Sequence, residues 1–346
     1  ATGEISVNDS SNRAATGTII AYSNGVWDNN KHNMSSTTEG KLNGKPSEIN
    51  IGKDVQLSAR YQLISGILGT STEKGINPIA YLAKDGGIVN AKGNTDAKGF
   101  YSIIGYADGK NSNETASKVN ISGTVTAKDE WASTDVATIP YLYRNIGGFA
   151  KNGGNVDITQ KVEINGIGGL ATGTGSTVNL NANDNIIKAG RNGGLAAFTS
   201  GLVNFGGGTI INKDVENALG AVLESGSHDS TTPFYAGAGA KIDFKGATTI
   251  EMYNGLIVPE VDKTLYQTTS DASTTNTNNR YLNMQNVEYD IKTDKVTLGV
   301  FKDRTTASGK SVIWNGSSQD LANGLGFNGI INFVSTNPDP FVKTVF

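Results

Sequence analysis

The sequence contains no cysteine and only two histidines among its 346 residues. Without cysteine the chain has neither disulfides nor thiolate metal sites. His32 and His228 lie in polar segments without the companions that a metal centre or a serine–histidine nucleophile requires. We therefore expect no metal, no cofactor and no catalytic residue.

Long apolar runs and concentrated positive charge are also missing. No stretch of about 18 apolar residues occurs, so the sequence predicts no membrane-spanning helix. The formal net charge is −3 and no run is rich in Lys and Arg. This charge distribution argues against a nucleic-acid partner.

Glycine, in contrast, is abundant, with 44 residues, which is about twice its usual share in proteins. Hydrophobic residues make up 37% of the chain, a proportion that suits a slender core beneath a large surface. A composition of this kind is typical of internal repeats.

A triplet of an apolar residue, Asn or Asp, and a second apolar residue recurs along the chain. Alternation over three residues places the two apolar side chains on one face of a strand and the Asx side chain on the other. The most regular copies begin at residues 156, 178 and 203, which are 22 and 25 residues apart. The copies are Ile49-Asn50-Ile51, Val89-Asn90-Ala91, Val119-Asn120-Ile121, Val156-Asp157-Ile158, Val178-Asn179-Leu180, Val203-Asn204-Phe205, Ile242-Asp243-Phe244 and Ile331-Asn332-Phe333.

Two further short elements accompany the triplets. A second apolar alternation follows them, as in Val162 and Ile164, and a small residue followed by an apolar residue precedes them. We interpret Gly168-Gly169 as the bend before one such preceding strand. The preceding elements are Ala80-Tyr81, Gly148-Phe149, Gly169-Leu170, Gly194-Leu195 and Gly220-Ala221.

Three short strands and three bends in about 22–25 residues describe one coil of a right-handed parallel β-helix, or β-solenoid. Coils stacked about 4.8 Å apart would bury the apolar residues of the triplets in two internal columns. The Asx residues would then face outward, or form a ladder at a bend in which their side-chain amides bond along the axis. The rival architectures are an antiparallel β-sandwich and a propeller. Asn-Gly hairpin signals, as at Asn165-Gly166, favour them, but both use longer strands than this repeat provides.

The rhythm of the repeat predicts a β-helix segment at residues 1–286 and terminal coils or a cap at residues 287–346. Loops on a rigid scaffold carry binding residues disproportionately, so function is expected where the repeat is interrupted. The predicted loop insertions are 26–48, 126–144, 224–241 and 260–286.

The insertion 126–144 combines carboxylates with aromatic rings. Rings stack on pyranose faces and carboxylates accept hydrogen bonds from sugar hydroxyls, so this segment predicts a contact site for a ligand. Catalysis by paired carboxylates and a purely structural role are the alternatives for the same residues. The predicted binding residues are Asp129, Glu130, Trp131, Asp135, Tyr141 and Tyr143.

The stretches "NIGGFAKNGGNVDITQKVEING" and "GGLATGTGSTVNLNAND" resemble the Gly-, Asn- and Thr-rich repeats of bacterial type V autotransporter passenger domains. They are most similar to those of the large RadD-like fusobacterial outer-membrane adhesins. The resemblance covers residues 77–258 and offers no motif that can be matched position by position. It implies a signal peptide before this segment, a translocating C-terminal β-barrel after it, and display at the cell surface.

These observations together predict a non-enzymatic adhesin segment, an exported rod at the outer membrane that attaches to host cells or other microbes through its insertions. The expected partner is a surface protein or a glycan. The alternatives are a β-helix polysaccharide lyase or hydrolase, and a structural spacer within a longer passenger.

Overall fold

The computed structural model describes the chain in separate ranges: 5–8, 19–25, 47–58, 78–98, 102–111, 113–128, 145–189, 194–212, 234–236, 240–252, 255–256, 281–283, 286–292, 296–297, 300–302, 311–313, 327–328 and 331–335. These residues form strands and turns, and no helix occurs among them. The strands, numbered in chain order, are β1 (Ile5–Asn8), β2 (Ile19–Asn24), β3 (Glu48–Ile51), β4 (Val55–Ser58), β5 (Ile79–Lys84), β6 (Ile88–Ala91), β7 (Thr95–Lys98), β8 (Ile103–Asp108), β9 (Lys118–Ile121), β10 (Val125–Lys128), β11 (Asn145–Lys151), β12 (Asn155–Ile158), β13 (Val162–Thr172), β14 (Thr177–Leu180), β15 (Asn185–Ala189), β16 (Leu195–Phe198), β17 (Leu202–Phe205), β18 (Gly208–Asn212), β19 (Phe234–Ala236), β20 (Lys241–Phe244), β21 (Thr248–Met252), β22 (Gly255–Leu256), β23 (Tyr281–Asn283), β24 (Val287–Ile291), β25 (Val296–Thr297), β26 (Val300–Lys302), β27 (Ser311–Ile313), β28 (Phe327–Asn328) and β29 (Ile331–Ser335).

Most of these strands belong to three parallel sheets, which we call sheets I, II and III. Sheet I has the spatial order β3-β6-β9-β12-β14-β17-β20-β23-β28. Sheet II has the order β1-β4-β7-β10-β13-β15-β18-β21-β24-β29. Sheet III contains β2, β5, β8, β11, the last part of β13, β16 and β19. The remaining strands form two small pairs, β22 with β25 and β26 with β27.

The chain runs from sheet III to sheet I to sheet II and then starts the next layer, as in β5-β6-β7 and β8-β9-β10. Each such coil therefore adds one strand to every sheet. The prediction of an all-β fold of stacked parallel strands, a parallel β-helix, is confirmed. The predicted coil length is confirmed as well, since Val156 pairs with Val178 and Val178 pairs with Val203.

The apolar residues of the triplets form two stacked columns that point inward from sheet I. Ile49 is partly buried, and the other members of both columns are at most 3% exposed. The larger rings meet edge to face, with 6.0 Å between the ring centres of Phe205 and Phe244. The columns are Ile49, Val89, Val119, Val156, Val178, Val203 and Ile242, and Ile51, Ala91, Ile121, Ile158, Leu180, Phe205 and Phe244.

Two details of the predicted repeat are wrong. Gly168-Gly169 is not a bend, because the chain has already entered sheet III at this point, where Gly166 pairs with Asn145 and Gly169 pairs with Gly148. The chain turns from sheet II into sheet III at Gly166, whose φ of 146° favours glycine. At Gly168 and Gly169 the absence of a side chain serves packing instead, since added Cβ atoms would lie 2.6 Å from Ile187 Cδ1 and 3.1 Å from Val178 Cγ1.

The second error concerns the late triplet Ile331-Asn332-Phe333, which belongs to sheet II and pairs with β24. The strand that continues sheet I is the short β28 just before it. Gly220-Ala221 lies outside the described residues, and β19 supplies the sheet III strand of that coil. Strand β23 lies within the predicted insertion 260–286.

The buried Tyr81 makes the stability of this core sensitive to alkaline pH. Its hydroxyl lies 2.8 Å from Thr95 Oγ1, and burial raises the pKa of Tyr81 to about 12. The folded chain therefore keeps a proton that the unfolded chain loses above pH 10. The stabilisation is complete below about pH 10 and is lost as the pH rises towards about 12, at up to about 1.4 kcal/mol per pH unit.

We expect urea unfolding of the native chain to show this fall in stability between pH 9.5 and 11.5, a window of about two pH units around the shift. The Tyr81→Phe variant keeps the ring but cannot ionise, so its stability should decline less steeply over the same window. Equal slopes for the two proteins would contradict the assignment to Tyr81.

Candidate functional site

The predicted binding residues all lie between β10 and β11, outside the described residues, so their role stays a prediction. The structure defines where their segment starts and ends. Lys128 is the last residue of β10 in sheet II, and Asn145 is the first residue of β11 in sheet III. We call the edge where the chain passes from sheet II to sheet III the II–III corner. The residues concerned are Asp129, Glu130, Trp131, Asp135, Tyr141 and Tyr143.

Three long connections start and finish at the II–III corner. Residues 59–77 connect β4 to β5, residues 129–144 connect β10 to β11, and residues 213–233 connect β18 to β19. The same corner can be crossed in a few residues, since β7 ends at Lys98 and β8 begins at Ile103. Because the strands of each sheet are in register, the ends of the long connections line up along one edge of the β-helix.

Asn145 fixes the point at which the chain returns after residues 129–144. Its side chain is fully buried. The amide oxygen accepts a hydrogen bond from the backbone N–H of Ser102 at 2.9 Å, and the amide nitrogen lies 3.5 Å from the carbonyl oxygen of Ala127. These contacts connect β11 with the preceding coil and with the strand that the segment leaves.

The outer face of sheet III, beside this corner, carries a column of aromatic and aliphatic side chains. The rings of Tyr106 and Phe149 stack with their centres 4.7 Å apart and their planes 6° apart. Each ring covers one face of the other, so these two facing surfaces are not available for a sugar to stack on. The column is Tyr22, Leu82, Tyr106, Phe149 and Leu170.

A polar network borders the stacked rings. Tyr106 donates its hydroxyl proton to Asp108 Oδ2 at 3.2 Å, and Asn152 Nδ2 donates to Asp108 Oδ1 at 2.8 Å. Burial, together with the charge of Asp108, raises the pKa of Tyr106 well above its usual value. The phenol therefore stays a neutral hydrogen-bond donor, and Asp108 serves as an acceptor within the fold.

The outer face of sheet I is a ladder of Asn and Asp side chains. Asn90 Nδ2 donates to Asn50 Oδ1 at 2.9 Å, Asn120 Nδ2 donates to Asn90 Oδ1 at 2.7 Å, and Asn204 Nδ2 donates to Asn179 Oδ1 at 2.7 Å. The predicted outward orientation of the Asx column is confirmed. Its described members in order are Asn50, Asn90, Asn120, Asp157, Asn179, Asn204 and Asp243.

The outer face of sheet II is charged. Lys128 Nζ lies 2.6 Å from Glu163 Oε1, and Lys161 Nζ lies 3.7 Å from Glu163 Oε2. The hydrogen bond from Lys128, reinforced by the charges of Lys161 and Lys188, holds the pKa of Glu163 below its usual range. This carboxyl group is therefore paired and ionised, unlike a general acid, which needs a raised pKa.

The three sheets thus present different outer faces, one aromatic and aliphatic, one of Asn and Asp, and one charged. The sequence analysis, which looked for function in the insertions, did not predict these faces. The alternating residues of the strands could have indicated them. Aligning "IIGYAD" at residues 103–108 with "IGGFAK" at residues 146–151 places Tyr106 beside Phe149. Aligning the segments of β7 and β10 in the same way would have placed Lys98 beside Lys128 on the outer face of sheet II.

Comparison of the chain with protein-family models, with curated proteins and with solved structures finds no match in any of the three. Within the described ranges, no three His, Asp or Glu side chains are grouped so that they could hold a metal ion. The same part of the chain includes no helix with the length and apolar character to cross a membrane.

Proposed function

We propose that this chain is a non-enzymatic adhesive rod of the cell surface, which attaches to host cells or other microbes through segments displayed along the II–III corner. The observation that carries this proposal is the shared position of the three long connections. Their first strands, β4, β10 and β18, stand two and three strands apart in sheet II, roughly 10 and 14 Å. Segments anchored so closely can form one composite contact surface.

The regular scaffold supports the same proposal. A parallel β-helix presents long, uniform faces, and binding residues on such scaffolds are carried by loops. The resemblance of residues 77–258 to autotransporter passenger domains adds an expected place, the outer surface of the cell. The partner under this proposal is a surface protein or a glycan contacted by residues 129–144.

The proposal is tested by shortening one connection without changing the coil. Residues 99–101 cross the II–III corner between β7 and β8, and Lys98 and Ile103 are paired in register with Lys128 and Ile146. Replacing residues 129–144 by the sequence of residues 99–101 keeps Asn145 and should preserve the β-helix. We expect adhesion of protein-coated beads to cultured cells to fall at least about tenfold, as for loss of a binding hot spot.

A matched control shortens residues 26–46, which connect sheet III to sheet I and lie at a different corner. This variant should adhere like the native chain, and circular dichroism should show both variants to be folded. Undiminished adhesion after the exchange at 129–144, or release of reducing ends from a polysaccharide by the native chain, would count against the proposal.

A further inference from the structure

The chain crosses from sheet III to sheet I at a second edge of the rod, which we call the III–I corner. Several coils cross it in three residues, as between β5 and β6 and between β11 and β12. The coil that contains β8 and β9 takes nine residues, 109–117. We call this longer segment the corner hairpin, because Lys110 and Ala116 pair within it as an isolated antiparallel bridge.

Asn111 anchors the corner hairpin to the rod. The residue is only 7% exposed, and its amide oxygen accepts hydrogen bonds from the backbone N–H groups of Asn113 at 3.0 Å and Thr115 at 2.9 Å. It also packs on Gly86 of the preceding coil, where a Cβ would lie 2.9 Å from Asn111 Nδ2. These contacts fix the position of the hairpin against the coil beneath it.

The tip of the corner hairpin faces solvent. Asn113 and Glu114 are exposed, and the Glu114 carboxylate lies 3.2 Å from Lys110 Nζ. Glu114 has a φ of 60°, a left-handed conformation that is uncommon for a residue with a side chain. The side chains of Asn113 and Thr115 form no hydrogen bond among the described residues. The tip therefore presents an amide and a hydroxyl to an outside partner.

The tip has the sequence Asn113-Glu114-Thr115, which matches the Asn-x-Ser/Thr pattern of N-glycosylation acceptors. The pattern also occurs at Asn120-Ile121-Ser122, which starts inside β9. Asn120 donates its amide N–H to Asn90, and Ile121 is fully buried. A transferase therefore has access to the first copy in the folded chain and not to the second. Three further copies lie wholly or partly outside the described residues.

We propose that Asn113 is a glycosylation site, whose side-chain amide receives a sugar from a glycosyl diphosphate donor. Asn113 Nδ2 forms a bond to the anomeric carbon of the sugar. The bond from that carbon to the donor phosphate breaks, and the diphosphate ester leaves with the bonding electron pair. The amide proton passes to a base of the transferase, and nothing is oxidised or reduced.

This inference goes beyond the proposed adhesive function and does not depend on it. Strand β8 starts at the II–III corner and ends at the III–I corner, so the corner hairpin lies roughly 20 Å from the edge that carries the long connections. A bulky, hydrophilic sugar at Asn113 would leave the proposed adhesive edge uncovered and would add to the hydration of the rod.

Peptide mass mapping of the chain isolated from the cells that produce it tests the proposal. We expect the peptide that contains Asn113 to carry a sugar. The sugar should be lost in Asn113→Gln and in Thr115→Ala, and kept in Thr115→Ser, which retains the hydroxyl. Circular dichroism should show all three variants to be folded, since the changes lie at the tip of the hairpin. An Asn113 without sugar in the native chain would overturn the proposal.

A second experiment separates the contribution of the fold from that of the sequence pattern. The folded chain is incubated with a soluble N-glycosyltransferase and UDP-glucose, beside synthetic peptides of residues 109–117 and 117–125. Both peptides should accept glucose, whereas the folded chain should accept it at Asn113 and not at Asn120. The control Asn120→Gln should leave incorporation at Asn113 unchanged. Transfer to Asn120 in the folded chain, or none to Asn113, would contradict the assignment.

Discussion

Replacing Val178 by aspartate is expected to destabilise the β-helix by about 4 kcal/mol or more, because it buries an unpaired carboxyl group in the core. Val178 is fully buried between Val156 and Val203 of the adjacent coils. Glycines on the opposite side leave no room for water, since a Cβ on Gly148 would lie 2.9 Å from Val178 Cγ1.

The adjacent Asn179 provides the matched control. It faces outward in the Asx ladder, where Asp157 and Asp243 already occur in other coils. Aspartate at this position still accepts the hydrogen bond from Asn204 but lies opposite Asp157, so Asn179→Asp should lower the free energy of unfolding by only about 1 kcal/mol. Urea unfolding followed by circular dichroism compares the two, and similar losses for both would show that the internal column does not carry the stability.

The substitution Gly123→Ala is expected to cost about 3 kcal/mol, at the upper end of the usual range for overpacking. Gly123 lies at the corner between β9 and β10, directly above the corresponding corner of the preceding coil. A Cβ at this position would lie 2.0 Å from the carbonyl oxygen of Gly93. The obstacle is backbone, so relief requires the two coils to move apart.

Gly52 is the control, because it lies at the same corner of the coil formed by β2, β3 and β4, and a Cβ there would meet no atom of the described residues within 4 Å. Gly52→Ala should change the free energy of unfolding by less than about 0.5 kcal/mol. Thermal unfolding of both variants at one pH checks the contrast. Equal losses of stability in the two variants would mean that Gly123 is not needed for the close stacking of the corners.

The periodic part of the fold could be predicted from the sequence because the same physical constraint returns in every coil. Val156, Val178 and Val203 occupy equivalent positions, so each copy strengthens the interpretation of the others. Gly168-Gly169 was misinterpreted because glycine serves both turns and close packing, and only the facing Ile187 and Val178 distinguish the two roles.

The faces of the rod were harder to predict because they depend on register between distant segments. The stacking of Tyr106 on Phe149 can be found from the sequence only when residues 129–144 are left out of the alignment. Likewise, Lys188 and Glu251 become members of one column only after residues 213–233 have been set aside. The insertion 126–144, which was predicted to bind a ligand, therefore also made the outer surface beside it difficult to predict.

Backbone hydrogen bonds between neighbouring coils point along the axis of the rod, because paired strands lie side by side at about 4.8 Å. A pull on the two ends therefore stretches the ladders of all three sheets together. Separating β12 from β14 requires four residue pairs of sheet I to open, and the pairs of sheets II and III in the same layer must open with them. The pull on one layer is therefore shared by the pairs of all three sheets. A rod held at one end in moving fluid would consequently resist extension and transmit tension almost without lengthening.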